Sequence, residues 1–255
     1  MKRLLGALAR LGLVFAGLFL VALGAARVLA APLPAGAAGA DAEALADRIL
    51  LAVNTEAWGR TGAVRWTMFG KEHLWDRQRE LFRLRDGTDE VVVNLKSGGV
   101  RRWKSGVETR RLGRIGANAY ATFINDAWWL NPVVKIRDEG VVRREVGPGE
   151  GLDGRAGERG LLVSWESGGL TPGDSYLWWP GSDDRPRSWQ MWVSILPIGG
   201  ITVTWEGWIT LATGAWVATI HDFSPGPRFE LTDVAGANDL LSLEGRDEFA
   251  GRLPQ

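Results

Sequence analysis

Two stretches of the chain carry apolar residues at helical spacing. In residues 41–58 they recur at steps of three and four, Asp41 stands at a cap position, and Gly59 follows the last of them. A second apolar stripe occupies residues 108–129, and the Asn131-Pro132 pair ends it. These patterns predict an N-terminal amphipathic helix and a second amphipathic helix in the middle of the chain.

Most of the remaining chain alternates apolar and polar residues with a period of two, which is typical of half-buried strands. The alternation begins with Val64, Trp66 and Met68. Further strands are predicted at 72–76, 79–85, 89–95, 100–104, 133–137, 141–146, 161–167, 174–179, 187–195, 201–210, 215–222, 227–233 and 240–243. Strands and helices do not alternate, which argues against a doubly wound parallel sheet. We predict a mainly β protein with two helices, in which one large antiparallel sheet curls as an unclosed barrel over the N-terminal helix and a helical lid.

The alternation also predicts which strand positions share a face. If Ile195 opposes Ile201, then Trp189, Met191 and Trp205 lie on one apolar face, with Met191 opposite Trp205. We expect that face to be the concave side of the sheet.

The next connection predicts a second register. A two-residue turn at Thr213-Gly214 pairs Leu211 with Trp216. The opposite face then carries polar residues that we expect to be solvated, with Glu206 and His221 as a surface pair. The residues predicted on that outer face are Gln190, Trp192, Glu206, Trp208 and His221.

The N-terminus has the pattern of an export signal. Lys2, Arg3 and Arg10 precede the uncharged run 11–26, and small residues end at Ala30. We predict a signal peptide over 1–30, an Ala/Pro/Gly linker over 31–40, and a single domain over 41–255. The alternative is an uncleaved anchor, although a membrane span needs about 20 apolar residues. Either way we expect a periplasmic or otherwise exported envelope protein, anchored in the inner membrane through 11–26 if the signal is retained.

Composition narrows the classes of partner. The chain has 255 residues, 30 basic and 30 acidic residues, two histidines and no cysteine. Zero net charge argues against a nucleic-acid partner. The lack of cysteine excludes disulfides, thiolate metal sites and an acylated N-terminal cysteine. We expect no cofactor and no metal, since carboxylates in the loop 147–160 could hold calcium only weakly.

Catalytic motifs give no candidate residues. The sequence lacks His-Glu-x-x-His, Gly-x-Ser-x-Gly and a Walker loop. Residues 149–154 match G-x-G-x-x-G, but the loop is acidic and no apolar helix follows, which favours a hairpin loop. The His221-Asp222 pair has no activated serine placed with it, so we interpret it as a solvated pair.

Tryptophan is the compositional outlier, with 14 residues. These indoles either fill the core of a wide sheet or line a concave apolar surface that accepts an acyl chain. In the cavity interpretation, the predicted ligand-binding residues are Trp66, Met68, Trp128, Trp129, Trp189, Met191, Trp205 and Trp216. Trp192 and Trp208, on the predicted outer face, would instead form a docking patch.

The order of signal, helix, hairpins, helical lid and further hairpins resembles the periplasmic lipoprotein-carrier superfamily of the LolA/LolB type. The stretches 73–76 (HLWD), 123–138 (FINDAWWLNPVVKIRD) and 171–178 (TPGDSYLW) resemble uncharacterised exported relatives of that group, over about 41–235. The resemblance implies an unclosed barrel around a hydrophobic cavity. Members carry lipoproteins, bind glycolipids or sense envelope stress, and at least one is an enzyme. This chain lacks the acylated cysteine of the membrane-anchored receptors.

These observations leave three classes of function. The first is an exported binder or carrier of a lipid-like ligand, whose partner is a lipid-like small molecule or an acylated protein, with an envelope protein as a further partner. The second is a non-catalytic structural or interaction module of the envelope with a filled core. The third is an enzyme on the same fold.

Overall fold

The computed structural model describes residues 30–147, 157–167, 171–196, 198–224 and 226–254. The predicted signal segment, the 149–154 motif and most of the loop 147–160 lie outside these residues. The described helices are α1 (Ala40–Ala52), α2 (Thr55–Arg60), α3 (Gly113–Ala117), α4 (Ala119–Leu130), the 3-10 turn Pro132–Lys135, and α5 (Leu240–Glu244).

The strands pair into two antiparallel sheets and one small hairpin. The strands are β1 (Ala63–Met68), β2 (Lys71–Asp76), β3 (Leu81–Asp86), β4 (Asp89–Asn94), β5 (Val100–Lys104), β6 (Val107–Thr109), β7 (Val141–Val146), β8 (Gly160–Trp165), β9 (Ser175–Pro180), β10 (Pro186–Trp192), β11 (Ile201–Thr204), β12 (Ile209–Thr210), β13 (Trp216–Val217), β14 (Ile220–Ser224), β15 (Arg228–Glu230) and β16 (Thr232–Ala237). Sheet 1 has the order β16-β1-β2-β3-β4-β5-β6, sheet 2 has the order β15-β14-β11-β10-β9-β8-β7, and β12 pairs with β13. The predicted mainly β, antiparallel and unclosed architecture is confirmed, with the strands divided between two sheets.

The inner faces of both sheets pack on helices. α1 buries Leu45 and Ile49 in the cluster formed by the inner face of sheet 2. α4 places Phe123 and Leu130 in the cluster of sheet 1. Its Trp129 packs against both clusters. The α4 helix is therefore one element at which the two apolar interiors meet, together with Phe223 of β14.

Both outer faces are also covered. On sheet 1, an apolar cluster that includes Leu74 and Trp103 packs against Leu240 of α5 and Phe249 of the C-terminal segment. The pairs Arg83–Glu248 and Arg252–Glu90 hold that segment in place. On sheet 2, the segment 31–37 runs along β7 and β10. Ala37 bridges to Glu145, and the Trp192 Nε1–H donates to the Ala31 carbonyl at 2.8 Å.

The predicted first helix is broken into two. α1 ends at Ala52, and Asn54 adopts a left-handed conformation with φ of 54°. The Asn54 side chain accepts a hydrogen bond from the Ala57 amide, which begins α2. An Asn that tolerates this backbone geometry and caps the next helix explains the break.

Other predicted elements need correction. The second helix begins only at Gly113, because residues 107–109 form β6, and it breaks between α3 and α4 at Asn118. The predicted strand 133–137 is wrong, since Pro132 begins a 3-10 turn there. The predicted strand 240–243 is helix α5. Asp239 accepts from the Ser242 amide at 2.7 Å and caps its start.

The predicted registers were wrong by different amounts. Met191 opposes Ile201, whereas the sequence placed it opposite Trp205. This displacement by an even number of residues keeps the paired side chains of β10 and β11 on their predicted faces. The next hairpin is displaced by one residue, so Trp216 opposes Thr210. A three-residue turn with Gly214 at φ of 93° closes it, since the Leu211 amide donates to the Ala215 carbonyl.

The predicted solvated polar row is also wrong. Gln190 and His221 are each 0% exposed, and only Glu206 lies at the surface, where it bridges to Ile220. Gln190 accepts a hydrogen bond from the Trp179 Nε1–H at 3.2 Å. Glu206 is not paired with His221 because the register of this hairpin differs from the predicted one by one residue.

The two tryptophans of the predicted docking patch separate. Trp192 does lie on the outer face of sheet 2, where it is half-buried against the cluster around Trp179. Trp208 packs instead against the inner cluster, and its Nε1–H contacts the carbonyls of Pro186 and Trp205. The two side chains therefore do not share one exposed patch.

Candidate functional site

The eight candidate residues occupy four places in the fold. One pair is buried on the inner face of sheet 1 and a triplet is buried on the inner face of sheet 2. Two more are half-buried on α4, and the last is half-buried in the small hairpin. In that order they are Trp66 and Met68; Trp189, Met191 and Trp205; Trp128 and Trp129; and Trp216. The Trp216 ring makes no aromatic contact with the indoles of α4 among the described residues. The Arg185 guanidinium lies over it, 4.2 Å from the ring centroid.

The two indoles of α4 connect this helix to sheet 2. The Trp128 ring centroid lies 5.3 Å from that of Trp165 and 5.2 Å from that of Tyr176. The Trp129 centroid lies 5.5 Å from that of Trp189, in an edge-to-face arrangement, and 6.4 Å from that of Trp205. Such pairs contribute about 0.5–1.5 kcal/mol each beyond their buried area. The structure thus brings four of the predicted residues together around one helix.

Several buried indole N–H groups in this interior lack a protein acceptor. Within the described residues, they are the Nε1 atoms of Trp66, Trp178, Trp189 and Trp205. An unsatisfied buried donor costs about 1–3 kcal/mol. The aromatic interior therefore presents hydrogen-bond donors to any polar atom that enters it.

His221 is buried among aromatic rings. Its ring centroid is 4.3 Å from that of Trp205, and its Nδ1 lies 3.3 Å from the Thr204 carbonyl oxygen. Burial lowers its pKa to about 4, against the opposing effect of the backbone carbonyls of Thr204 and Trp129. The imidazole is therefore neutral at pH 7. With Nδ1–H donating to Thr204, Nε2 carries a lone pair that has no partner among the described residues.

A second buried contact joins α4 to sheet 1. The His73 Nε2 lies 2.8 Å from Asp126 Oδ2, and the imidazole stacks on Trp66 at 4.7 Å. The Asn125 side-chain amide donates to the other Asp126 oxygen at 2.9 Å. A carboxylate that orients an imidazole is also the arrangement of a general base. The His73 side chain is 0% exposed, however, so a substrate reaches it only if α4 moves.

Sequence reasoning missed this pair. A signal was present, because Asp126 follows Phe123 by three residues and so falls on the apolar face of the helix. A carboxylate on an apolar stripe is rarely buried without a partner. That observation predicts a buried partner, although it does not say which residue.

A surface pocket of about 420 Å³ opens where α2, the end of β2 and the start of α4 meet. Trp75, Leu95, Tyr120 and Phe123 supply its apolar wall. The remaining lining residues are Gly59, Arg60, Thr61, Gly62, Arg77, Gln78 and Glu80. The sequence did not predict this pocket because its walls come from segments that are far apart in the chain.

Arg77 is the half-buried cation of this pocket. Its Nη1 donates to the carbonyls of Trp58 and Thr61 at the end of α2. The guanidinium lies 4.6 Å from the Trp58 ring centroid and 5.2 Å from that of Trp75. Burial lowers its pKa. Among the residues described, it forms no ion pair within 4.0 Å.

Within the described ranges, no three histidine or carboxylate side chains cluster closely enough to hold a metal ion. No helix in that part of the chain has the length and apolar character needed to cross a membrane.

The fold class is thus a mainly β protein with two open antiparallel sheets and an aromatic interior around α4. No family model and no curated protein matches the sequence. Among solved structures, the chain is similar to a DUF1329 family protein from Desulfovibrio piger ATCC 29098, with 11% identity and a TM-score of 0.43 over 81% of this chain and 97% of that one. It is also similar to a putative outer membrane lipoprotein-sorting protein domain from Vibrio parahaemolyticus, with 11% identity and a TM-score of 0.35 over 80% of this chain and 95% of that one. At these values the likeness assigns no function.

Proposed function

We propose that this protein is an exported, non-catalytic cell-envelope protein that binds or carries a lipid-like hydrophobic ligand, with the pocket beside α2 as the entrance to its aromatic interior. The observation that carries the proposal is a continuous series of rings leading inward from the pocket. Centroid distances are 5.0 Å from Trp75 to Phe123, 4.8 Å from Phe123 to Phe82, and 6.3 Å from Phe82 to Trp66.

The size and lining of the pocket suit such a ligand. Its volume of about 420 Å³ falls in the range of small-molecule sites, about 300–1,000 Å³. Each methylene removed from water contributes about 0.8 kcal/mol, so eight buried methylenes contribute about 6 kcal/mol before the costs of association. An acyl chain therefore gains useful affinity from a wall made of Trp75, Leu95 and Phe123.

In this proposal α4 acts as the lid. An apolar chain that extends beyond the pocket separates α4 from sheet 1, which breaks the His73–Asp126 contact. The chain would then lie along Trp66, Met68, Trp128, Trp129, Trp189, Met191 and Trp205. Trp216, which packs against the edge of the sheet 2 cluster, would border this path. The unpaired indole N–H groups would donate to polar atoms of the ligand.

The test blocks the entrance without disturbing the core. Gly59 is an exposed helical residue that lines the pocket, and an added Cβ there meets no atom within 4 Å. We expect Gly59→Trp to abolish binding of a fluorescent fatty-acid probe, whereas Gly59→Ala binds as the parent does. Both variants should fold, because replacing a helical glycine removes a cost of about 1 kcal/mol.

Mass spectrometry of the gently purified protein gives an independent measurement, because a carrier should retain co-purified lipid. If the parent neither retains lipid nor binds the probe, the proposal is wrong. Equal binding by the parent and Gly59→Trp would place the ligand elsewhere and exclude this entrance.

A specific observation supports a second candidate function. Trp66, Trp189 and Trp205 are almost fully buried and contact other rings, as in a filled core. This packing favours a structural or interaction module of the envelope. That alternative predicts no retained lipid and no probe binding in any variant.

A further inference from the structure

We infer that the pocket beside α2 binds the anionic head group of an amphiphile, a carboxylate or a phosphate, at Arg77 and Trp75, with the apolar chain along Leu95 and Phe123. This inference rests on the proposed function and specifies the chemistry of the ligand.

The first support is the hydrogen bonding of Arg77. Its contacts with the carbonyls of Trp58 and Thr61 both use Nη1. In the described part of the chain, Nε and Nη2 form no hydrogen bond and keep their N–H donors. A guanidinium edge with free donors matches the geometry of a carboxylate or phosphate.

The second support is an unpaired donor beside it. The Trp75 Nε1–H is buried and has no acceptor among the described residues. The Trp75 ring lies 5.2 Å from the Arg77 guanidinium and lines the same pocket. The free edge of Arg77 and the Trp75 indole thus adjoin an apolar wall, and the buried Trp75 N–H becomes available to a head group that displaces the side chains covering it.

The charged side chains around the pocket determine which ligand charge it favours. The Arg60 cation is already paired with Glu56, with Nη1 2.6 Å from Oε1. Arg77 has no such carboxylate partner in the described chain, and its burial leaves the cation poorly solvated, so an incoming anion relieves that cost. Glu80 lies at the exposed rim and opposes an anion.

Arg77 also has a structural role, since it satisfies two carbonyls at the end of α2. A substitution at Arg77 would therefore weaken both the helix end and the site. Trp75→Phe and Glu80→Gln avoid this ambiguity. The first removes the N–H donor together with part of the ring, a packing loss that affects charged and uncharged ligands alike, and the second removes only the rim charge. Glu139→Gln is the matched control, because Glu139 is exposed and outside the pocket.

The experiment is calorimetric titration of the purified protein with dodecanoate, dodecanol and inorganic phosphate. We expect the parent to bind dodecanoate about tenfold more tightly than dodecanol, since charge-assisted hydrogen bonds exceed neutral ones. Trp75→Phe should reduce this ratio several-fold. Glu80→Gln should raise the affinity for dodecanoate alone, and Glu139→Gln should change neither.

The outcomes separate this inference from the proposed function. Equal binding of dodecanoate and dodecanol, or a ratio that neither pocket variant alters, overturns the anionic head group and leaves lipid binding standing. Phosphate binding as tight as that of dodecanoate would indicate a site for a free anion and overturn the amphiphile. If neither amphiphile binds, the proposed function fails as well.

Discussion

At the scale of single residues, the two histidines show how burial decides chemistry. His221 was expected at the surface and is instead enclosed by Trp129, Trp205 and Phe229. His73 is fixed to Asp126 beneath α4. Both positions follow from tertiary partners, so local sequence around each histidine could not predict them.

The lowered pKa of His221 predicts a pH dependence of stability. In the folded state the pKa is about 4, against 6.5 for the exposed group, so the unfolded chain takes up a proton first as pH falls. The free energy of unfolding should therefore decrease between about pH 6.5 and pH 4, by at most about 3 kcal/mol from this group. Urea unfolding at a series of pH values measures it.

The matched variant for this prediction is His221→Asn, whose side-chain amide can replace the Nδ1–H donor and does not titrate. It should be less stable at pH 7 because it loses ring contacts, but its stability should decrease less over the same pH range. Identical slopes for the parent and the variant would assign the pH dependence to other groups.

The Asp126 carboxylate should matter for stability more than a surface carboxylate does. Asp126→Asn weakens a buried contact with His73, and we expect a loss of about 1–3 kcal/mol. Asp138→Asn is the control, since Asp138 pairs with Lys135 at 3.2 Å in an exposed ion pair and should cost below about 0.5 kcal/mol. Chemical denaturation compares the two, and equal losses would contradict a structural role for the His73 contact.

At the scale of elements, the alternation of apolar and polar residues predicted which face of the sheet a side chain occupies better than it predicted the residue opposite it on the next strand. Trp189 and Met191 share the inner face as expected, because the period of two is local. Their cross-strand neighbours differ from the prediction because register depends on where β10 ends and how long the loop 193–200 is. The turn near Gly214 was misassigned by one residue, which was enough to reverse a face.

The α4 helix is the element whose mobility the proposed function requires. Neither α3 nor α4 has a side-chain cap at its start, and α3 is only five residues long. We expect the α4 amides to exchange with solvent faster than those of β10, which pairs on both sides. Hydrogen exchange with mass spectrometry measures both segments. Equal protection would indicate a fixed core helix and argue against a carrier.

At the scale of the whole molecule, the division into two sheets depends on a contact between distant parts of the chain. β16 pairs with β1, placing Ala237 opposite Ala63. The helices α3 and α4 connect sheet 1 to sheet 2. The sequence predicted antiparallel strands and two helical regions. Long-range strand pairing leaves no local signal in the sequence, and neither does a pocket assembled from four separate segments.

The last prediction distinguishes a carrier from a filled core by comparing two tryptophans of sheet 2. Trp205 is buried on the inner face, with ring centroids 4.9 Å from Trp189 and 5.5 Å from Trp178. Truncating a packed tryptophan to alanine usually costs about 3–5 kcal/mol. An interior that opens for a ligand relaxes around the vacated space. We therefore expect Trp205→Ala to change the affinity for the fluorescent fatty-acid probe, with a stability loss below that range.

Trp192→Ala is the control for this comparison. It lies on the outer face and removes the hydrogen bond to Ala31, so it should lower stability while leaving probe affinity unchanged. Chemical melts and probe titrations of both variants provide the measurements. Suppose that neither the parent nor either variant binds the probe, and that Trp205→Ala loses the full stability expected for a packed tryptophan. The aromatic interior is then a filled core, and the protein is an interaction module of the envelope and not a carrier.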